Sequence, residues 1–136
     1  MKRHIRIYMN AFEYAEDDRK PCEVGKYLTG TFSCEIDDIH HIEPKRMGGR
    51  KNVDMDVIEN LIGVCRSHHD DCDSQRYDQL TQYIMHLSTL QDYGIPFSVE
   101  NLKPIVKRGI YEQLAIVFPP DEEEINDLRF LEDPKF

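Results

Sequence analysis

Apolar residues recur along this chain in two different periods, and the switches between them outline its elements. In residues 75–91, Tyr77, Leu80, Tyr83, Ile84, Leu87 and Leu90 keep a spacing of three to four, which predicts an amphipathic helix. Ser74 can cap that helix, and Gly94 followed by Pro96 ends it. Residues 34–42, CEIDDIHHI, lie between the turn-forming TGTFS and Pro44 with Gly48-Gly49, a setting that predicts a short strand entering a loop. Asn60-Leu-Ile-Gly-Val64 is a second short apolar run able to return beside it, and Cys65 to about Cys72 reads as the start of a helix. The expected unit is strand, loop, strand, helix.

The flanks are less regular. Ile5 and Ile7 alternate while Tyr8, Phe12 and Tyr14 suit a helix, so both periods fit residues 4–15, and helix is preferred. Ser98 is placed to start a short helix before Pro104, and Ile110–Phe118 is an apolar segment closed by Pro119-Pro120. Asp121 with Glu124 matches a capping box for a last amphipathic turn through Ile125, Leu128 and Leu131.

Composition sets the scale. With 136 residues, 40% hydrophobic and 10% aromatic, the chain can bury one core, so a small single α+β domain is expected over residues 1–136. A mainly helical extension is expected at about 74–136. No run approaches the roughly 20 apolar residues needed to cross a membrane, and MKRHIRIYMN lacks the apolar segment of a secretion signal. The expectation is a soluble, cytoplasmic protein with no membrane partner. In that reducing setting Cys22, Cys34, Cys65 and Cys72 are better suited to metal ligation or plain burial than to disulfides. The net charge of −9 argues against coating nucleic acid by bulk electrostatics. Lys45, Arg46, Arg50 and Lys51 nevertheless cluster after the paired histidines, as either a nucleic-acid contact or a solvated turn.

The histidines carry the chemistry. On an extended strand His40 and His41 point to opposite faces, so one can ligate an ion while the other stays free. On a helix starting near Cys65, Asp73 follows His69 by one turn on the same face. His40, His69 and Asp73 would then form an open divalent site, which does not choose sharply among Mg²⁺, Mn²⁺, Zn²⁺ and Ni²⁺. A metal-free imidazole can take a proton from water near neutral pH, which suits His41 to the role of general base. Asn60 can donate and accept hydrogen bonds and is assigned to holding the loop and the orientation of His41. Asp38 reads as a structural or supporting acid, and His4 and His86 carry no pattern signal.

The order His40-His41-Ile42, Pro44, Gly48-Gly49, Glu59-Asn60-Leu61, Cys65-x-x-His68-His69 resembles the HNH endonucleases of the ββα-metal type, over about half the chain. The resemblance implies a ββα-metal core at about 22–73 and metal-dependent hydrolysis of a DNA phosphodiester, as an endonuclease or nickase. It implies His40 and His69 as ligands of a single ion, His41 as general base, Asn60 as the central asparagine, and products with 5′-phosphate and 3′-hydroxyl ends. Where relatives often place a further helix histidine, this chain has Asp73.

Many relatives also hold a structural zinc with two Cys-x-x-Cys pairs, which here read Cys22-Glu-Val-Gly25 and Cys65-Arg-Ser-His68. One repair uses Cys22, Cys34, Cys65 and His68, with Cys72 a rival fourth ligand. A non-catalytic zinc module for nucleic acid or protein is the alternative function, but it would have no need of His41 together with Asn60. No DNA-reading motif is visible downstream, which leaves specificity to that half, to a homodimer or to a partner protein.

Overall fold

Two four-residue strands, β1 (Asp38–His41) and β2 (Leu61–Val64), pair antiparallel and form the sheet of the computed structural model. The structure describes residues 1–44 and 53–114. His40 faces Ile62 across the pair and His41 faces Leu61, which fixes both histidines at the end of the ladder where the chain leaves β1 and enters β2. All four residues of β2 are buried, as expected for a short, unbroken apolar run covered on both sides. Helices surround the pair: α1 (Arg3–Phe12), α2 (Glu23–Thr29), α3 (Arg66–Asp73) and α4 (Gln79–Asp92), with a 3₁₀ turn, Ile58–Asn60, leading into β2. The described residues thus make a small α+β fold containing the strand, loop, strand, helix order expected from the sequence.

The chain divides into two compact units, Met1–Ser98 and Val99–Phe136. The second contains α5 (Pro104–Leu114), whose first residue is a proline, favourable there because the missing N–H would have no helical partner. No helix starts at Ser98; residues 98–103 are turns and irregular backbone. The Asp121/Glu124 capping box, Gly48-Gly49 and the basic loop Lys45, Arg46, Arg50 and Lys51 lie outside the described residues.

Local chemistry explains most boundaries. α1 buries Tyr8 and Phe12, one turn apart, and their rings stack with centroids 4.5 Å apart. α4 is capped by Asp78, not by Ser74: the Asp78 carboxylate accepts the Thr81 N–H at 2.8 Å, which also lowers its pKa. Ser74 instead ends α3, and Gln75 at φ 62° turns the backbone out of the helical region between the two helices. α2 was not legible as a helix, being one short segment with a glycine inside it.

A buried acid ties these elements together. Glu23 is 2% exposed, and its Oε2 accepts the Tyr8 hydroxyl and the Gly63 N–H, each at 2.7 Å. Its Oε1 lies 2.7 Å from Nδ1 of His86, whose Nε2 faces the Ile58 carbonyl. Burying a carboxylate is costly unless it is paired and hydrogen-bonded, and here both oxygens are engaged. Gly63 makes this approach possible, since a Cβ there would meet the Tyr8 hydroxyl and Ile36 at 2.5 Å. The hub fixes β2 against α1, α2 and α4, and so sets the platform from which β1 presents its histidines.

Candidate functional site

Alternation along β1 sends its two histidines into different clusters. Nδ1 of His40 lies 3.6 Å from Asp73, and Nε2 of His69 is also 3.6 Å from Asp73, one helical turn further along α3. One ligand atom from each of these three residues lies within 4.8 Å of the others, so His40, His69 and Asp73 could hold a metal ion. Asp38 sits behind them, with Oδ2 at 3.0 Å from Nδ1 of His69 and 3.0 Å from the Arg66 guanidinium. A carboxylate accepts only, so Nδ1 of His69 donates its proton to Asp38, and Nε2 is the ring nitrogen on the Asp73 side that could meet an ion. Burial, reinforced by the neighbouring His69, lowers the pKa of His40, and a neutral imidazole is the form that ligates.

His41 turns the other way. Its Nε2 lies 2.7 Å from Oδ1 of Asp56, an acid only 2% exposed. Arg3 on α1 donates to Asp56 at 3.3 Å and to Asp54 at 2.8 Å, and the ring of His4 packs at 4.7 Å from that of His41. His4, His41 and Asp56 form a second set whose ligand atoms lie within 4.8 Å of one another. Both sets line a single open cleft of about 720 Å³, where Lys2 and Arg3 add positive charge.

Asn60 is buried at 3% exposure and acts on backbone rather than on a ring. Its Oδ1 accepts the Glu43 N–H and the Tyr83 hydroxyl, each at 2.8 Å, and its Nδ2 donates to the carbonyls of Glu43 and Met55, each at 3.0 Å. Its own carbonyl accepts the Ile42 N–H. Asn60 therefore pins the two ends of the loop that leaves β1 just after His41, without touching the imidazole itself in any of these bonds.

A third cluster lies at the N-termini of α2 and α3. Nδ1 of His68 is 3.3 Å from Cys22 Sγ, 3.7 Å from Cys34 Sγ and 3.3 Å from Cys65 Sγ. Tetrahedral zinc with Zn–S near 2.3 Å and Zn–N near 2.0 Å separates nitrogen from sulfur by about 3.6 Å, so these spacings bracket that geometry. Cys22 caps α2 and Cys65 caps α3, each sulfur accepting a helix N–H. Cys34 arrives by a different route: Gly30 at φ 77° ends α2, and the chain folds back so that the Cys22 N–H donates to the Cys34 carbonyl at 2.7 Å. A Cβ on Gly25 would lie 2.7 Å from Cys34 Sγ, so the glycine vacates the space the sulfur occupies. Cys22, Cys34, Cys65 and His68 lie close together and could bind a metal ion. Burial pushes the Cys22 thiol up to about 12, so ligation there would displace a proton. Cys72 is outside this set; it is fully buried, its thiol also pushed up to about 12, and it packs as a small hydrophobe.

The sequence reading paired His40 with His69 and Asp73, and the fold brings those three together. It overlooked Asp56, Arg3 and His4, which reach His41 from the loop and from α1 and leave no local pattern. His86 likewise gave no signal, because its partner Glu23 is 63 residues away. No helix among the described residues is long and apolar enough to cross a membrane. Comparison with protein-family models, with curated proteins and with solved structures returns no match.

Proposed function

We propose that this protein is a metal-dependent phosphodiester hydrolase that cuts or nicks DNA, with His41 as the general base. The observation that carries the reading is the division of labour on β1: His40 joins His69 and Asp73 in one metal-competent set, while adjacent His41 is held by Asp56 in the same cleft. His40, His69 and Asp73 would hold one divalent ion, Mg²⁺, Mn²⁺, Zn²⁺ or Ni²⁺. Bound there, an ion would supply Lewis-acid stabilisation of charge on the scissile phosphate and the departing oxygen.

The chain's own residues supply the rest. With Nε2–H directed at Asp56, the free lone pair of neutral His41 is on Nδ1, which accepts the proton of the attacking water. Asn60 fixes the loop after His41, and Lys2 on the cleft wall offers a cation to a phosphate oxygen. The resemblance of the residue order to HNH endonucleases supports DNA as the substrate class.

Plasmid nicking with each ion, with chelator, and after ion replacement tests this reading. Cleavage that appears with a divalent ion and disappears with chelator is expected; ion-independent cleavage, or none with any ion, would oppose it.

A second reading has its own observation. The set Cys22, Cys34, Cys65 and His68 would suit a structural zinc in a non-catalytic binding module. That module would bind DNA or protein with His41 and Asn60 dispensable, and would show no cleavage.

A further inference from the structure

The two imidazole–carboxylate sets in the cleft draw on neighbouring residues of β1, and only one of them holds an ion in the mechanism above. The other set draws His4 from α1, His41 from β1 and Asp56 from the loop ahead of the 3₁₀ turn, with ligand atoms within 4.8 Å of one another. Two imidazoles and one carboxylate with open positions form a donor set taken by Zn²⁺, Ni²⁺ and similar transition ions, whereas Mg²⁺ prefers oxygen donors and its own waters. The set sits on the wall of an open cleft, so an ion has a path to it.

We propose that His4, His41 and Asp56 form a second, inhibitory site for a divalent transition ion. The inference rests on the reading of His41 as general base. A neutral imidazole has a single available lone pair. Once that pair is given to an ion, at whichever ring nitrogen, His41 can no longer take the proton of water. The order of filling follows from the surroundings. Arg3 shares the Asp56 carboxylate at 3.3 Å and competes with an incoming ion, whereas a second carboxylate, Asp38, backs His69 in the other set. The His40–His69–Asp73 set therefore fills first and supports activity, and the second site fills at higher ion concentration and removes it. Activity against Zn²⁺ or Ni²⁺ should rise and then fall.

The test compares wild type with His4→Ala, and with His4→Gln as a second variant should alanine disturb α1. Equilibrium dialysis at fixed free Zn²⁺ gives ion uptake per folded chain, and nicking across a Zn²⁺ or Ni²⁺ series gives the ratio of peak to high-ion rate within each protein. Wild type should take up one more ion than the variant. Its rate should fall at least about tenfold at high ion, since a general base contributes on the order of 10²–10⁴; the variant should lose most of that fall. Equal uptake by wild type and both variants would overturn the site. Unequal uptake with the same fall in rate would overturn its inhibitory role. If no ion supports cleavage by wild type, the hydrolase reading and the inhibitory role fail together, and the uptake difference still decides whether the site exists.

Discussion

Oδ1 of Asp56 lies 2.7 Å from Nε2 of His41, across a separation of fifteen residues. The carboxylate is nearly inaccessible and is itself held by Arg3, so it is a fixed acceptor rather than a mobile surface acid. A fixed acceptor selects one tautomer of its histidine, and a base in the wrong tautomer cannot act however basic it is.

Asp56→Ala should therefore lower kcat by about 10²-fold with little change in KM, within the range that general-base catalysis supplies. Asp56→Asn should fall less, because its amide oxygen can still accept the Nε2 proton. Steady-state nicking on proteins matched for metal content checks both. An unchanged kcat in Asp56→Ala would show that the contact does not serve catalysis.

Gly25→Ala should weaken zinc binding by about 10- to 100-fold, the usual cost of disturbing the support of a metal ligand. The added methyl would meet Ser33 Oγ at 2.6 Å and Cys34 Sγ at 2.7 Å, driving the sulfur from its place opposite His68. Zinc content after dialysis against a competing chelator reads the effect. Retention equal to wild type would mean that Cys34 is not a ligand.

The Glu23–His86 pair predicts a pH signature of stability. Burial alone would lower the His86 pKa, but the Glu23 charge and hydrogen bond, with the Ile58 carbonyl, outweigh it and raise the value above 6.5. A histidine raised in the folded state contributes stability that is fully present below its unfolded pKa and is lost as pH rises through the folded one. Urea midpoints should thus decline above neutral pH. His86→Ala, which leaves Glu23 buried without its cation, should cost roughly 3–5 kcal/mol. A midpoint that rises with pH over that window would contradict the assignment.

How much of this was legible in the sequence depended on the range of the interactions. β1, β2, α3 and α4 announced themselves through local period and punctuation, and His69 with Asp73 through helical spacing. The cap of α4 lies four residues beyond Ser74 because a left-handed turn at Gln75, closed by the Arg76 N–H on the Asp71 carbonyl, separates α3 from α4 with no glycine to mark it. Cys34 could be nominated because Gly25 stands where a cysteine is expected and the glycine-containing turn before Cys34 lets the chain fold back. Asp56, Arg3 and His4 reach His41 through tertiary folding alone, and no pattern along the chain could have joined them. The same holds for the Glu23–His86 hub, whose hydrogen bonds form only when α1, α2, β2 and α4 are packed together.

The central claim, that His41 activates water beside an ion held by its neighbour His40, is tested most directly by His41→Ala in the plasmid-nicking assay with Mn²⁺. The variant should fold, should take up as much Mn²⁺ as wild type at the His40–His69–Asp73 set, and should nick at least about 10²-fold more slowly. A folded, Mn²⁺-loaded variant that nicks as fast as wild type would contradict the account.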